Sequence, residues 1–157
     1  MARVYFDSTL FLSILANEPT ANSVRQLLTE LGNSRTGIYT SILTIAECCV
    51  GSLRANGDPN KPLELIYDIA KVQSITEDIA ISTARIEAKM ILLCPPGEKE
   101  PTKRRRRRWD CFHMATALDL KCTALYSFDE DYGKMAEQCG LPILCSYPES
   151  KNRTLFN

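Results

Sequence analysis

The chain has 157 residues, 45% of them hydrophobic and 24% charged, which fits one globular domain and excludes disordered and fibrous classes. Lysine plus arginine and aspartate plus glutamate each number 19, a formal net charge of zero, so the chain is not a generally basic nucleic-acid coat. No apolar run approaches the roughly 18–20 residues a membrane helix needs, and the early Asp7 spoils a leader's apolar stretch, so the expected setting is cytoplasmic, with no membrane partner.

Val4-Tyr5-Phe6 is a β-prone run that ends at Asp7. Ser8 then offers a cap for a helix over 9–16. Val24, Leu27, Leu28 and Leu31 recur on one helical face, with Gly32 as the expected C-cap. A second strand is predicted over 37–40. Ser41 opens a third helix that carries Leu43, Ala46, Val50 and Leu53 on one side. A turn at Gly57, Pro59 and Pro62 precedes a short helix over 63–70, and a third strand covers 72–75. Thr76, Glu77 and Asp78 start a helix reaching about residue 92, with Ile79, Ile86, Met90 and Leu93 on one face. Prolines and polarity make 94–103 a loop, and the next helix is expected over 109–120. A strand over 123–126, a helix over 130–138 closed by Gly140, and a strand over 143–145 complete the series. The organisation expected is one domain over 1–147 and a polar tail over 148–157. Short strands alternating with helices predict an α/β fold with a mainly parallel sheet of four or five strands.

Seven cysteines occur, with no C-x-x-C, mostly inside apolar stretches. Reduced, buried thiols of a cytoplasmic protein are the expectation. Six consecutive cations, Lys103, Arg104, Arg105, Arg106, Arg107 and Arg108, stand out, because the rest of the chain is acidic. Three readings of that run are open: an RNA clamp, a solvated loop, and a docking strip for an acidic partner. Trp109 beside it is read first as core or boundary packing, with base stacking as the alternative.

In open parallel sheets, sites form beyond the carboxyl ends of strands. Asp7 follows the first strand, and Asp129 follows the fourth. Glu47 lies early in the helix after the second strand, and Asp110 opens the helix after the basic run. All four acids therefore have a route to one rim. Gathered carboxylates repel one another until a divalent cation sits among them, and hard oxygen donors suit Mg²⁺ or Mn²⁺. Such an ion offers a phosphodiester both a nucleophile and a Lewis acid. His113, one turn beyond Asp110, is read first as a half-buried neighbour and second as a phosphate donor.

The segments VYFDST (4–9), TSILTIAEC (40–48), WDCFHMATAL (109–118) and LYSFDEDY (125–132) together resemble a PIN domain, most like a VapC-type toxin ribonuclease. The resemblance runs from about residue 3 to residue 145. It implies a Rossmann-like three-layer α/β/α sandwich. It also implies an endoribonuclease that uses Mg²⁺ or Mn²⁺ and metal-activated water to leave 5′-phosphate and 3′-hydroxyl ends. Asp7, Glu47, Asp110 and Asp129 match the family's acidic quartet, and Asp131 matches a more variable acid. Ser127 matches a hydroxyl that orients a carboxylate, and His113 occupies the third place after Asp110, a variant of the family's pattern. The implied partners are an RNA substrate, a cognate antitoxin, and a second copy in a homodimer built from the helices after Thr9 and Pro19. The alternative is a non-catalytic PIN-like module that holds RNA or a protein partner. Phosphotransfer on an Asp would need a Lys after a late strand, where this chain has Ser127-Phe128-Asp129.

Overall fold

Val4, Tyr5 and Phe6 lie in β1 (Arg3–Phe6), the middle strand of the computed structural model, which describes residues 1–93 and 101–148, with backbone alone over 101–106. β1 leads into α1 (Ser8–Leu15) and α2 (Ala21–Asn33), then β2 (Gly37–Ser41). α3 (Ile42–Arg54) and α4 (Asn60–Ile69) lead to β3 (Lys71–Gln73). α5 (Glu77–Leu93) and α6 (Pro101–Asp119) come before β4 (Ala124–Tyr126). α7 (Asp131–Cys139) and β5 (Leu144–Ser146) close the described chain. The sheet has five strands in the order β3-β2-β1-β4-β5, and every pairing is parallel. Val4 registers with Ile38 on one side and Ala124 on the other.

A central parallel strand is covered on both faces, so it reads as an unbroken apolar run. Val4, Tyr5 and Phe6 are all buried. Successive side chains alternate between faces. Val4 and Phe6 join Leu10, Phe11, Val24, Leu27 and Ile66, from α1, α2 and α4. Tyr5 joins Ile79, Ile86, Met114, Tyr132 and Met135, from α5, α6 and α7. The result is the expected three-layer α/β/α arrangement. Each large side chain taken from water contributes about 1.5–3 kcal/mol to the fold.

Four local expectations are corrected. The cap of α1 is Asp7, not Ser8: its carboxylate accepts from the Thr9 amide, and its backbone is extended. α2 runs through Gly32 and ends at Ser34. On α3 the periodic side, with Val50 at 55% and Leu53 at 56% exposure, faces outward, while Thr44 and Cys48 are buried. Thr44 tolerates burial because its hydroxyl bonds that of Thr40 at 2.8 Å. Finally, α6 begins at Pro101, so the basic run is helical rather than a loop. Proline suits a first helical turn, and Arg and Lys are good helix formers. The remainder of the predicted loop, 94–100, and the tail beyond residue 148 lie outside the described residues.

Other signals correspond to the elements found. The Ser41 hydroxyl accepts from the Leu43 amide at 2.9 Å and starts α3. The Thr76 hydroxyl accepts from the Ile79 amide at the start of α5. Gly140 has φ 60°, a left-handed C-cap that glycine adopts without strain. Among the described cysteines all are free thiols, and five of them are buried.

Candidate active site

Chain direction fixes where a site can form. After β1 the chain moves outward through β2 to β3, then returns to place β4 on the other side of β1. The carboxyl ends of β1 and β4 therefore flank a point where the winding reverses, the usual place for a crevice in such sheets. Asp7 leaves β1 there, and Ser127 and Asp129 leave β4 there.

Asp7 is 3% exposed, and its carboxylate is held by donors from three segments. Oδ2 accepts from the Ser127 hydroxyl at 2.9 Å, from the Thr9 hydroxyl at 3.0 Å and from the Thr9 amide at 3.4 Å. Oδ1 accepts from the Tyr132 hydroxyl at 3.1 Å and lies 3.7 Å from His113 Nε2. A buried charge is tolerable when its oxygens are bonded in this way. The Ser8 hydroxyl reaches Oδ1 only at 3.5 Å. The Ser127 hydroxyl also accepts from the Asp129 amide at 2.9 Å, tying the end of β4 to Asp7.

Glu47 approaches from α3, and its Oε2 lies 3.0 Å from His113 Nε2. Asp110 approaches from α6, with Oδ1 3.5 Å from the Tyr132 hydroxyl that also bonds Asp7. Burial pushes the Asp110 carboxyl up to about 7, with help from the charges of Asp7, Asp129 and Glu47 and against the opposing effect of His113. Asp129 is partly buried and accepts at 2.9 Å from the amide of Asp131, the first residue of α7. Asp131 itself is 68% exposed at its side chain and pairs with Lys134 at 2.9 Å.

His113 is 1% exposed rather than half-buried, and it sits among the acids. Its Nδ1 lies 2.7 Å from the Tyr5 hydroxyl. Burial opposes its charge, yet the Glu47 hydrogen bond and the charges of Asp7, Glu47 and Asp110 outweigh it, so its pKa is raised. Asp7, Glu47 and His113 each offer one ligand atom, all within 4.8 Å of one another. Asp7 and Glu47, with the Asp110 carboxyl near them, offer oxygen donors that fit a hard divalent cation, and His113 stands beside them.

Sequence reasoning missed Tyr5, Thr9 and Tyr132. Tyr5 had a signal: two residues before Asp7 on a strand, it projects to the same side. Tyr132 had none, because only the docking of α7 brings its hydroxyl to Asp7. Of the basic run, Arg108 has described contacts. Its Nε donates to both carboxylate oxygens of Glu87, at 3.0 and 3.1 Å, pinning α6 to α5. Trp109 lies at the surface, 38% exposed. Among the described residues, no helix is long and apolar enough to cross a membrane.

Comparisons with known proteins agree with this architecture. A VapBC2 complex from Rickettsia felis bound to a promoter DNA fragment aligns at TM-score 0.68 and 9% identity, over 92% of this chain and 98% of that one. A toxin–antitoxin complex from Klebsiella pneumoniae aligns at TM-score 0.63 and 14% identity, over 94% and 98%. The sarcin-ricin loop cleaving toxin VapC20 of Mycobacterium tuberculosis aligns at TM-score 0.57 and 16% identity, over 83% and 93%. A search of curated protein sequences found no match. At these identities the structural likeness establishes the fold alone. The PIN domain family matches the sequence directly, over residues 4–138, so acids gathered at the β1–β4 switch point stand within a chain that belongs to the PIN domain family.

Proposed function

We propose that this protein is a divalent-metal-dependent endoribonuclease and the toxin of a toxin–antitoxin pair, working in the cytoplasm. The observation that carries the reading is the convergence of Asp7, Glu47 and Asp110 on one partly buried rim, with Asp129 close enough to act on Asp110 by charge. Asp7, Glu47, Asp110 and Asp129 would hold Mg²⁺ or Mn²⁺, and Asp131, exposed and paired with Lys134, would serve as an outer acid. A bound ion would supply Lewis acidity at a phosphodiester and activate water for its hydrolysis. The chain's own residues do the positioning. Ser127, Thr9 and Tyr132 fix both oxygens of Asp7, so that carboxylate keeps one orientation when a strand arrives. The Tyr132 hydroxyl donates to Asp7 and lies 3.5 Å from Asp110 Oδ1, between the two acids.

RNA is the proposed substrate. The run Lys103, Arg104, Arg105, Arg106, Arg107 and Arg108 leads along α6 straight to Asp110, and such cations neutralise phosphates. The likeness to a sarcin-ricin loop cleaving toxin supports an RNA target, and the likeness to VapBC complexes supports an antitoxin. Val50 and Leu53 of α3 and Tyr67 of α4 are each more than half exposed, an apolar surface that the antitoxin or the second copy of a homodimer would cover.

The test is cleavage of a mixed pool of structured and single-stranded RNAs, with Mg²⁺, Mn²⁺ or EDTA. Wild type is expected to cut only with metal and to leave 5′-phosphates. Asp7→Asn is expected to lose more than about 100-fold, beyond what removing a supporting residue costs. Folded, metal-loaded wild type that cuts no RNA would instead favour a binding module.

A further inference from the structure

His113 is the chain's single histidine, and both of its ring nitrogens are engaged in the interior. Nε2 faces two carboxylate oxygens, Glu47 Oε2 at 3.0 Å and Asp7 Oδ1 at 3.7 Å. A lone pair on Nε2 would point at both negative charges, so this nitrogen carries the proton and donates to Glu47. Nδ1 is then closed off by the Tyr5 hydroxyl at 2.7 Å. Tyr5 is fully buried in β1, the central strand of the sheet, paired on both sides. Glu47, by contrast, is 30% exposed at its side chain and extends from the surface of α3. A glutamate has three rotatable bonds, and nothing else described on its own helix holds its carboxylate.

We propose that Tyr5 and His113 are positioning residues that form a buried relay, Tyr5 hydroxyl to Nδ1 and Nε2–H to Glu47, which locks the Glu47 carboxylate facing Asp7. The proposal rests on the metal-nuclease reading above and gives His113 a task other than that of a ligand. The relay transmits the rigidity of β1 to an acid on a partly exposed helix. Partners behind metal-binding carboxylates and imidazoles fix their orientation, and losing one typically costs about 10–100-fold in metal affinity.

The experiment uses untagged full-length protein and Mn²⁺ alone as the probe, with no RNA. Free Mn²⁺ is counted by EPR for wild type, Asp7→Asn, Tyr5→Phe, His113→Gln and His113→Leu, with circular dichroism as the check on folding. Tyr5→Phe and His113→Leu are expected to bind about 10–100-fold more weakly while folded. His113→Gln keeps an N–H that can reach Glu47 and is expected to stay close to wild type. Unchanged affinity in folded Tyr5→Phe, or His113→Gln no better than His113→Leu, overturns the relay. If His113→Leu does not fold, Tyr5→Phe and His113→Gln still decide. Wild type that binds Mn²⁺ no better than Asp7→Asn defeats the metal reading instead. In that event ¹⁵N spectra of the one imidazole judge the relay in metal-free protein. Nε2 carrying its proton, with a spectrum that moves in Tyr5→Phe, supports it. A proton on Nδ1 alone overturns it. If wild type does bind Mn²⁺, the same spectra are recorded with Mg²⁺, and loss of the Nε2 proton there would make His113 a ligand and overturn the relay too.

Discussion

Val4 and Phe6 point from β1 into an apolar cluster, whereas Tyr5 and Asp7, which follows the strand, point toward an imidazole, hydroxyls and carboxylates. The first side gains its free energy by excluding water and asks only for volume and shape. The second side holds charge that must be bonded atom by atom, and it gains little stability from doing so. One short segment, residues 4–7, therefore carries both stabilising core residues and a buried acid that is costly to hold. Loss of a group should lower stability on the apolar side, and on the polar side it should lower or raise stability according to whether a donor or an acid is removed.

Phe6→Ala is the largest effect. Phe6 is 1% exposed and packs edge-on against Phe11 and Tyr126, so its truncation is expected to cost about 3–5 kcal/mol in urea unfolding. A smaller loss than that of any polar-side variant would break the contrast. Asp110→Asn runs the other way. Its carboxyl is raised from 3.8 to about 7 in the fold, so the native state keeps a proton that the unfolded chain releases. Metal-free wild type is therefore expected to lose stability as pH rises from about 4 to 7, and Asp110→Asn to lose that slope. At pH 8 the variant should be more stable by up to about 4 kcal/mol, read by unfolding in EDTA at a series of pH values. Mg²⁺ should narrow the gap by binding the folded wild type.

Tyr132→Phe comes third. It removes a hydroxyl donor from Asp7 and leaves a buried carboxylate oxygen short of one bond, at a cost of about 1–3 kcal/mol. Double substitution with Asp110→Asn sharpens the result: the two effects should fail to add, since both act on the same hydroxyl. Arg108→Ala is the smallest. Its ion pair with Glu87 is open to water at Arg108, so its loss should cost less than about 1 kcal/mol in urea unfolding. Its expected signature is in RNA binding, where the slope of log affinity against log salt should fall by about one phosphate contact.

Much of this was readable in the sequence, for reasons that differ by residue. Val4-Tyr5-Phe6 before Asp7 reads correctly because a central parallel strand imposes a continuous apolar run, and Ser41 reads correctly because capping is local chemistry. The acids at strand ends follow from topology, once alternating strands and helices imply a parallel sheet. The start of α6 did not, because prolines and like charges pull toward a loop while the helix propensity of Arg and Lys pulls the other way. The Val50 and Leu53 face of α3 misled because helical periodicity identifies an apolar stripe without saying which stripe the sheet will cover. Tyr132 and His113 gain their partners only when α7 and α6 dock, at separations of 125 and 108 residues from Asp7 and Tyr5.

The strand order has a consequence for synthesis. β1 is made first, but its neighbour β4 comes some 120 residues later, and the bond between Ser127 and Asp7 spans that same interval. Contacts so distant in sequence form late. A chain still growing on the ribosome, or cut short by a premature stop before residue 124, has Asp7, Thr9 and Glu47 but neither β4 beside Asp7 nor the Ser127 and Tyr132 hydroxyls that complete its hold. The topology itself therefore delays assembly of the acidic rim until nearly the whole domain has been translated.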